Sequence, residues 1–191
     1  MPQILLYLHG FNSSNLSEKA QVMRQYVQLH KANIEVVCPQ LPCYPEDTQN
    51  FLIDLMEQYA HCTIGVVGSS LGGYLATWLH QNYGIKAVLV NPAVKPYELL
   101  QDYLGKQTNP YTQDVYYLEP KHMGELEALA VPTLQDPQRI WLLQQKGDEV
   151  LDYRQAVEKY KDCHQTVEEG GNHSFVNFQH YCVNIVRFLF H

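Results

Sequence analysis

Thr63-Ile64-Gly65-Val66-Val67-Gly68-Ser69-Ser70-Leu71-Gly72 is the stretch on which the fold turns. Its first five residues are short, apolar and rich in β-branched side chains, as a strand buried on both faces of a parallel sheet requires. Beyond it, Leu71, Leu75, Trp78 and Leu79 recur at helical spacing. The junction, Gly68-Ser69-Ser70-Leu71-Gly72, reads G-x-S-x-G. A strand that becomes a helix within so few residues leaves the middle serine on a strained corner, with its hydroxyl lifted clear of the sheet. Glycines at 68 and 72 let neighbouring backbones close around that corner. Ser70 is therefore the candidate nucleophile. Ser69 is its rival within the motif, but in that frame Val67 would take the first glycine position, so Ser69 fills the variable slot. Glycine and serine are common, and the reading of Ser70 depends on partners elsewhere in the chain.

Strand-like runs at Ile4–Leu8, Ile34–Cys38, Thr63–Val67, Ala87–Val90, Ile140–Leu143 and Gln165–Glu168 alternate with helix-period segments. The helical segments are Ser17–His30, Thr48–Tyr59, Leu71–Tyr83, Tyr153–Lys161 and Phe175–Phe190, with Thr48 and Asp152 as N-caps. The alternation predicts an α/β fold: a mostly parallel sheet of about six strands, helices on both faces, right-handed crossovers. Ligands of such sheets bind at the carboxyl ends of the strands, so the residues just after each run come first. From Lys95 to about Pro132 no strand-like run is found, and the segment holds Tyr97, Tyr103, Tyr111, Tyr116 and Tyr117. A connection that long suggests a functional insertion. We expect a small, partly helical cap at about 95–132 leaning over the strand ends, within a single domain spanning 1–191.

A serine hydroxyl needs a base to take its proton and an anion site for the oxygen that gains charge. His173 lies in Glu169-Gly170-Gly171-Asn172-His173-Ser174-Phe175, just past the last strand, where two glycines allow a tight loop. His30, His80 and His164 fall on helical faces or ends, and His191 is terminal. The carboxylate that orients the imidazole is Asp148, which follows the strand Ile140–Leu143. Glu149 stands beside it as the alternative and is expected to point away, while Asp152, three residues before Gln155, fits a capping box. The anion site combines the backbone N–H of Leu71, next to the nucleophile, with that of Phe11 in the polar loop His9-Gly10-Phe11-Asn12-Ser13-Ser14. His9 reads as a structural residue hydrogen-bonded to loop backbone.

Composition narrows the partners. The chain has 191 residues, long enough to bury roughly two-thirds of its unfolded surface in one core. With 46% hydrophobic and 17% charged residues and no repeat, disorder is excluded. Thirteen basic against twenty acidic residues give a net charge of −7, the wrong sign for nucleic acid. Cys38, Cys43, Cys62, Cys163 and Cys182 form no CxxC and no pattern with histidine that suggests a metal, so they read as free thiols. No apolar stretch approaches the ~18 residues of a membrane span. Ile4–Leu8 reads as a strand and not as the centre of a leader, which makes the cytoplasm the expected compartment.

The chain order Ser70, Asp148, His173 belongs to the α/β-hydrolase arrangement and not to the chymotrypsin or subtilisin ones. More narrowly, the chain resembles the small bacterial YqiA-like esterases. The likeness spans nearly its whole length. It rests on Leu6 to Ser14, Pro39-Gln40-Leu41-Pro42, Gly68 to Tyr74, Asn91-Pro92-Ala93-Val94, Asn109-Pro110-Tyr111-Thr112, Trp141 to Val157 and Glu169 to Phe175. The resemblance implies an α/β-hydrolase fold; compared with larger hydrolases the chain begins directly at the oxyanion strand, so the usual leading antiparallel strands are expected to be absent. It also implies a serine esterase acting through Ser70, Asp148 and His173 on small-molecule acyl esters or thioesters. No metal or organic cofactor is expected. Two other functions fit the same residues: an acyl-CoA thioesterase with the same triad, and a hydrolase fold used only for binding.

Overall fold

The computed structural model describes residues 1–31 and 33–191. Six strands, β1 (Gln3–Leu8), β2 (Ile34–Val37), β3 (Thr63–Ser69), β4 (Lys86–Val90), β7 (Ile140–Gln145) and β8 (His164–Glu168), make one parallel sheet. A separate antiparallel pair, β5 (Gly105–Thr108) and β6 (Val115–Leu118), forms a hairpin between β4 and β7. The helices are α1 (Glu18–His30), α2 (Pro45–Gln58), α3 (Leu71–Tyr83), α4 (Pro96–Leu99), α5 (Pro120–Glu127), α6 (Tyr153–Lys159) and α7 (Cys182–Phe190).

The strand order β2-β1-β3-β4-β7-β8 reverses direction between β1 and β3. From β1 the chain crosses outward to β2, then returns past β1 to β3 and builds the other way. At such a reversal the connections leave the two neighbouring strands on opposite sides and open a crevice at their carboxyl ends. The residues that emerge there are His9-Gly10-Phe11 from β1 and Ser70 from β3. Topology alone thus brings two distant sequence stretches to one place.

Each strand of the sheet's centre is apolar on both faces because each face is covered. On one side Leu6, Leu8, Val66 and Leu89 pack with Leu52 and Met56 of α2, Leu75 and Leu79 of α3, and Ala156 of α6. On the other, Leu5, Tyr7, Val67 and Val88 pack with Met23 and Val27 of α1 and Ile185 and Leu189 of α7. Alternation along β1 therefore sends successive side chains to different cores. Helix α3 is buried from Gly72 through His80, because the excursion between β4 and β7 covers its outer face: the Tyr74 hydroxyl donates to the Leu126 carbonyl at 2.6 Å. All five cysteines are free. Among the described residues no helix is long and apolar enough to cross a membrane.

Four expectations about local structure are corrected. Helix α2 starts at Pro45, not Thr48; proline suits the first helical position, and the Thr48 hydroxyl donates back to the carbonyls of Pro42 and Tyr44. The last helix starts at Cys182, not Phe175, because Phe175 and Asn177 hold left-handed backbone (φ 64° and 63°) and a 3₁₀ turn follows. The segment 95–132 does contain strands, β5 and β6. His164 opens β8 and does not lie on a helix. Asp152 caps α6 as expected, its carboxylate accepting from the Arg154 N–H at 3.1 Å, but among the described residues it forms no capping box with Gln155.

Candidate active site

Ser70 sits at the β3–α3 junction with φ 55° and ψ −120°. A non-glycine residue so placed stores about 1–3 kcal/mol of strain, which surrounding structure must hold. Here the Ser70 N–H donates to the Val90 carbonyl (3.1 Å) and the Ser70 carbonyl accepts from Ala93 (3.0 Å), tying the corner to the end of β4. The flanking glycines are required by close approach. A Cβ on Gly68 would lie 2.1 Å from the Gly72 carbonyl oxygen, and one on Gly72 would lie 2.1 Å from that of Leu8.

The three side chains expected to work together meet. His173 Nε2 is 3.1 Å from Ser70 Oγ, and His173 Nδ1 is 2.8 Å from Asp148 Oδ2. Asp148 Oδ1 accepts from the N–H groups of Val150 (2.9 Å) and Leu151 (2.8 Å), so one oxygen is fixed by its own turn and the other faces the ring. The carboxylate is wholly buried while the imidazole is 22% exposed, so solvent or a ligand can reach the ring but not the carboxylate. Glu149 is corrected: its carboxylate turns back and accepts from the His173 backbone N–H at 2.9 Å. The acid at the ring is Asp148, and Glu149 anchors the main chain of the same residue.

The loop after β1 presses against Ser70, a Cβ at Gly10 lying 3.7 Å from Ser70 Oγ. Among the described residues, neither the Phe11 nor the Leu71 N–H donates a hydrogen bond, so both remain open for an incoming anion. His9 is buried. Its Nδ1–H donates to the Gly10 carbonyl (2.9 Å) and its Nε2 accepts from Leu41 (3.0 Å), which fixes a neutral tautomer. Burial holds this imidazole below the usual histidine range, against the opposing pull of the Gly10 carbonyl.

Beside these two N–H groups opens a pocket. Gly10, Phe11 and Leu71 line it together with the apolar side chains of Leu75, Met123 and Leu126. Among the described residues its wall includes no Asp, Glu, Lys or Arg; its polar side chains are His9, Asn12, Gln40, Thr48, Asn109 and Tyr116. Among the described residues no group of three His, Cys, Asp or Glu side chains is placed to hold a metal ion.

Residues 4–190 match the model of the uncharacterised protein family UPF0227. The chain belongs to UPF0227. A UPF0227 protein of Shewanella sp. (strain ANA-3) is 27% identical over 161 residues, 83% of each chain. Another, from Shewanella sp. (strain MR-4), is 27% identical over 177 residues, covering 90% of this chain and 91% of its own. Among solved structures, one from the study of LipS and LipT, two metagenome-derived lipolytic enzymes, has a TM-score of 0.70 at 14% identity, covering 98% of this chain and 93% of the other. Est1E from Butyrivibrio proteoclasticus has a TM-score of 0.68 at 12% identity, covering 98% and 86%. At such identities the likeness is one of fold, and that fold is the α/β-hydrolase fold.

In this UPF0227 chain, buried amides that sequence reasoning left without a role hold the histidine loop. Asn91, fully buried just after β4, uses its whole side-chain capacity. Its Nδ2 donates to the carbonyls of Asn172 (2.9 Å) and His173 (3.1 Å), and its Oδ1 accepts from Gln144 Nε2 (3.0 Å) and the Gln145 N–H (2.9 Å). Gln145 Oε1 accepts from the N–H groups of Asn172 (3.2 Å) and Val176 (2.9 Å), and its Nε2 donates to Glu168 Oε2 (2.7 Å). A signal was there: two glutamines continue the apolar strand Ile140–Leu143, and buried amides are expected to be hydrogen-bonded.

Proposed function

We propose that this chain is a serine hydrolase that cleaves carboxylic esters of small molecules through an acyl-enzyme. The reading is carried by one observation: a strained serine 3.1 Å from an imidazole that a buried carboxylate holds at 2.8 Å, beside two unengaged N–H groups. In the first step Ser70 Oγ bonds to the ester carbonyl carbon while His173 Nε2 takes its proton. The carbonyl oxygen becomes an anion facing the Phe11 and Leu71 N–H groups, where hydrogen bonds strengthen as charge develops. Collapse breaks the bond to the alcohol oxygen, which leaves with the proton from His173. Water then adds to the acyl carbon as His173 takes its proton, and collapse breaks the bond to Ser70 Oγ, which regains that proton from His173 as the carboxylic acid departs. Asp148 keeps the ring in the tautomer that presents a bare Nε2 and stabilises the imidazolium.

The pocket beside the N–H pair receives the acyl group, and residues 95–132 act as its cap. Charge-free, apolar walls favour an uncharged acyl chain or ring. Supporting this reading, LipS and LipT are lipolytic enzymes, and Est1E is known with ferulic acid bound. The test is Ser70→Ala on an activated ester such as a p-nitrophenyl ester. The folded variant should lose nearly all turnover; retained turnover would refute the assignment. Rates on matched oxygen esters and thioesters separate an esterase from a thioesterase.

A further inference from the structure

The β5–β6 hairpin makes little of itself. Both strands are four residues long, three of the four residues of β5 are exposed, and a lone two-stranded hairpin is at best marginally stable in water. Its two buried polar side chains, Asn109 and Tyr116, instead reach the loop after β1. The Tyr116 hydroxyl donates to Asn12 Oδ1 at 2.6 Å, and Asn109 Nδ2 donates to the Ser13 carbonyl at 2.9 Å. The Phe11 ring packs edge-on against Tyr103 just before the hairpin, with centroids 5.5 Å apart. Asn12 itself has φ 50°, a left-handed backbone that a single asparagine tolerates but does not prefer. The residue that follows the Phe11 donor is thus in an uncommon conformation, and its side chain is held from the hairpin.

We propose that the β5–β6 hairpin is a clamp on the anion site, in which Tyr116, by holding Asn12, is a positioning residue for the Phe11 N–H. The inference rests on the ester-hydrolase reading and deepens it. A cap that only walls the pocket would need apolar faces toward the ligand; it would not need a hydroxyl and an amide on consecutive loop residues. An N–H that is slightly misaimed costs little in the ground state, where the carbonyl is neutral, and much where the oxygen carries charge. Loss of the clamp therefore acts on kcat more than on KM.

The test is Tyr116→Phe, which keeps the ring in the pocket wall and removes only the hydroxyl. Expected is a fall in kcat of about ten- to a hundred-fold, short of the hundred- to thousand-fold cost of losing a donor outright. An alkyl boronic acid, whose tetrahedral serine adduct places an oxygen in the same site, should bind more weakly by a similar factor. Because Tyr116 and Asn12 both also line the pocket, KM can shift by about a few fold, but the fall in kcat should clearly exceed the change in KM, as for loss of an interaction made mainly in the transition state. Asn12→Gly supplies a second variant: glycine suits the left-handed backbone, and with a thermal melt to show that it is folded it should give the same loss in kcat and boronate affinity. Unchanged kcat in both variants, or a raised KM with kcat intact, would overturn the clamp while leaving Ser70-dependent hydrolysis standing. A wild-type protein with no Ser70-dependent ester hydrolysis would overturn the ester reading and the clamp together.

Discussion

Asn91→Asp is the sharpest probe of how the histidine is held. The substitution is nearly isosteric and tolerates the left-handed backbone at this position (φ 40°). It replaces the amide that donates to the Asn172 and His173 carbonyls with oxygen that only accepts when ionised. Two hydrogen bonds are lost and two carbonyls are left facing a like partial charge. At about 1–3 kcal/mol for each unsatisfied group, with water partly compensating in this half-buried loop, the loss in stability is about 2–4 kcal/mol. That is a large share of the ~5–15 kcal/mol typical of a domain, but it should leave a folded protein at 20 °C. The chemical effect follows from the 3.1 Å contact between His173 Nε2 and Ser70 Oγ. A shift of ~1 Å in the loop costs on the order of a hundred-fold in rate, or about 2.7 kcal/mol of barrier. The pocket walls do not include Asn91, so KM should move little. The assay is kcat and KM on a p-nitrophenyl ester, with a circular-dichroism melt as the control for folding. A folded variant with kcat within about threefold of wild type would refute the idea that Asn91 sets the base.

Asp148→Asn should cost on the order of 10⁴-fold in kcat, as expected when the imidazole takes the wrong tautomer, whereas Glu149→Gln, which still accepts from the His173 N–H, should stay within about tenfold; the reverse ranking would make Glu149 the acid. Gly72→Ala would place a methyl 2.1 Å from the Leu8 carbonyl oxygen and 2.7 Å from that of His9, both main chain, so the urea midpoint should fall by at least the ~1–3 kcal/mol of an overpacked site. Gly124→Ala, on α5 with open space around it, should instead gain about 0.4–1 kcal/mol, and equal midpoints for the two would contradict this packing. His9 gives a pH signature: its folded pKa lies below the unfolded value because burial disfavours the charged ring. Its contribution is complete above the unfolded pKa of about 6.5 and is lost as pH falls from there toward the lower folded value. The melting temperature of His9→Gln should therefore drop less than that of wild type between about pH 7.5 and 5.5, and parallel curves would exclude the effect.

What could be read in the sequence were features set by short-range rules. The β3–α3 corner was legible because a buried strand, two glycines and a helical repeat lie within twenty residues, and neither glycine has room for a side chain. Asp148 and His173 were legible because parallel strands deliver their carboxyl ends to one edge. The rest depends on partners far along the chain. Asn91 bonds to residues 81 and 82 positions away, so its local context, an Asn-Pro after a strand, says turn and nothing more. The hairpin escaped notice because Gly105-Lys106-Gln107-Thr108 has no apolar alternation, and its buried side chains are satisfied about a hundred residues upstream. Apolar residues from Phe175 onward suggested an early start to the last helix, yet two of the first three positions are left-handed. Glu149 was expected to point away; only the folded loop turns it toward the His173 N–H.

The most direct measurement is intact-mass and peptide mapping of the wild-type protein after treatment with a fluorophosphonate. The account predicts one stoichiometric phosphonyl adduct, on Ser70, that is absent when His173 is replaced by alanine. A protein that stays unlabelled, or carries its adduct on another residue, would contradict it.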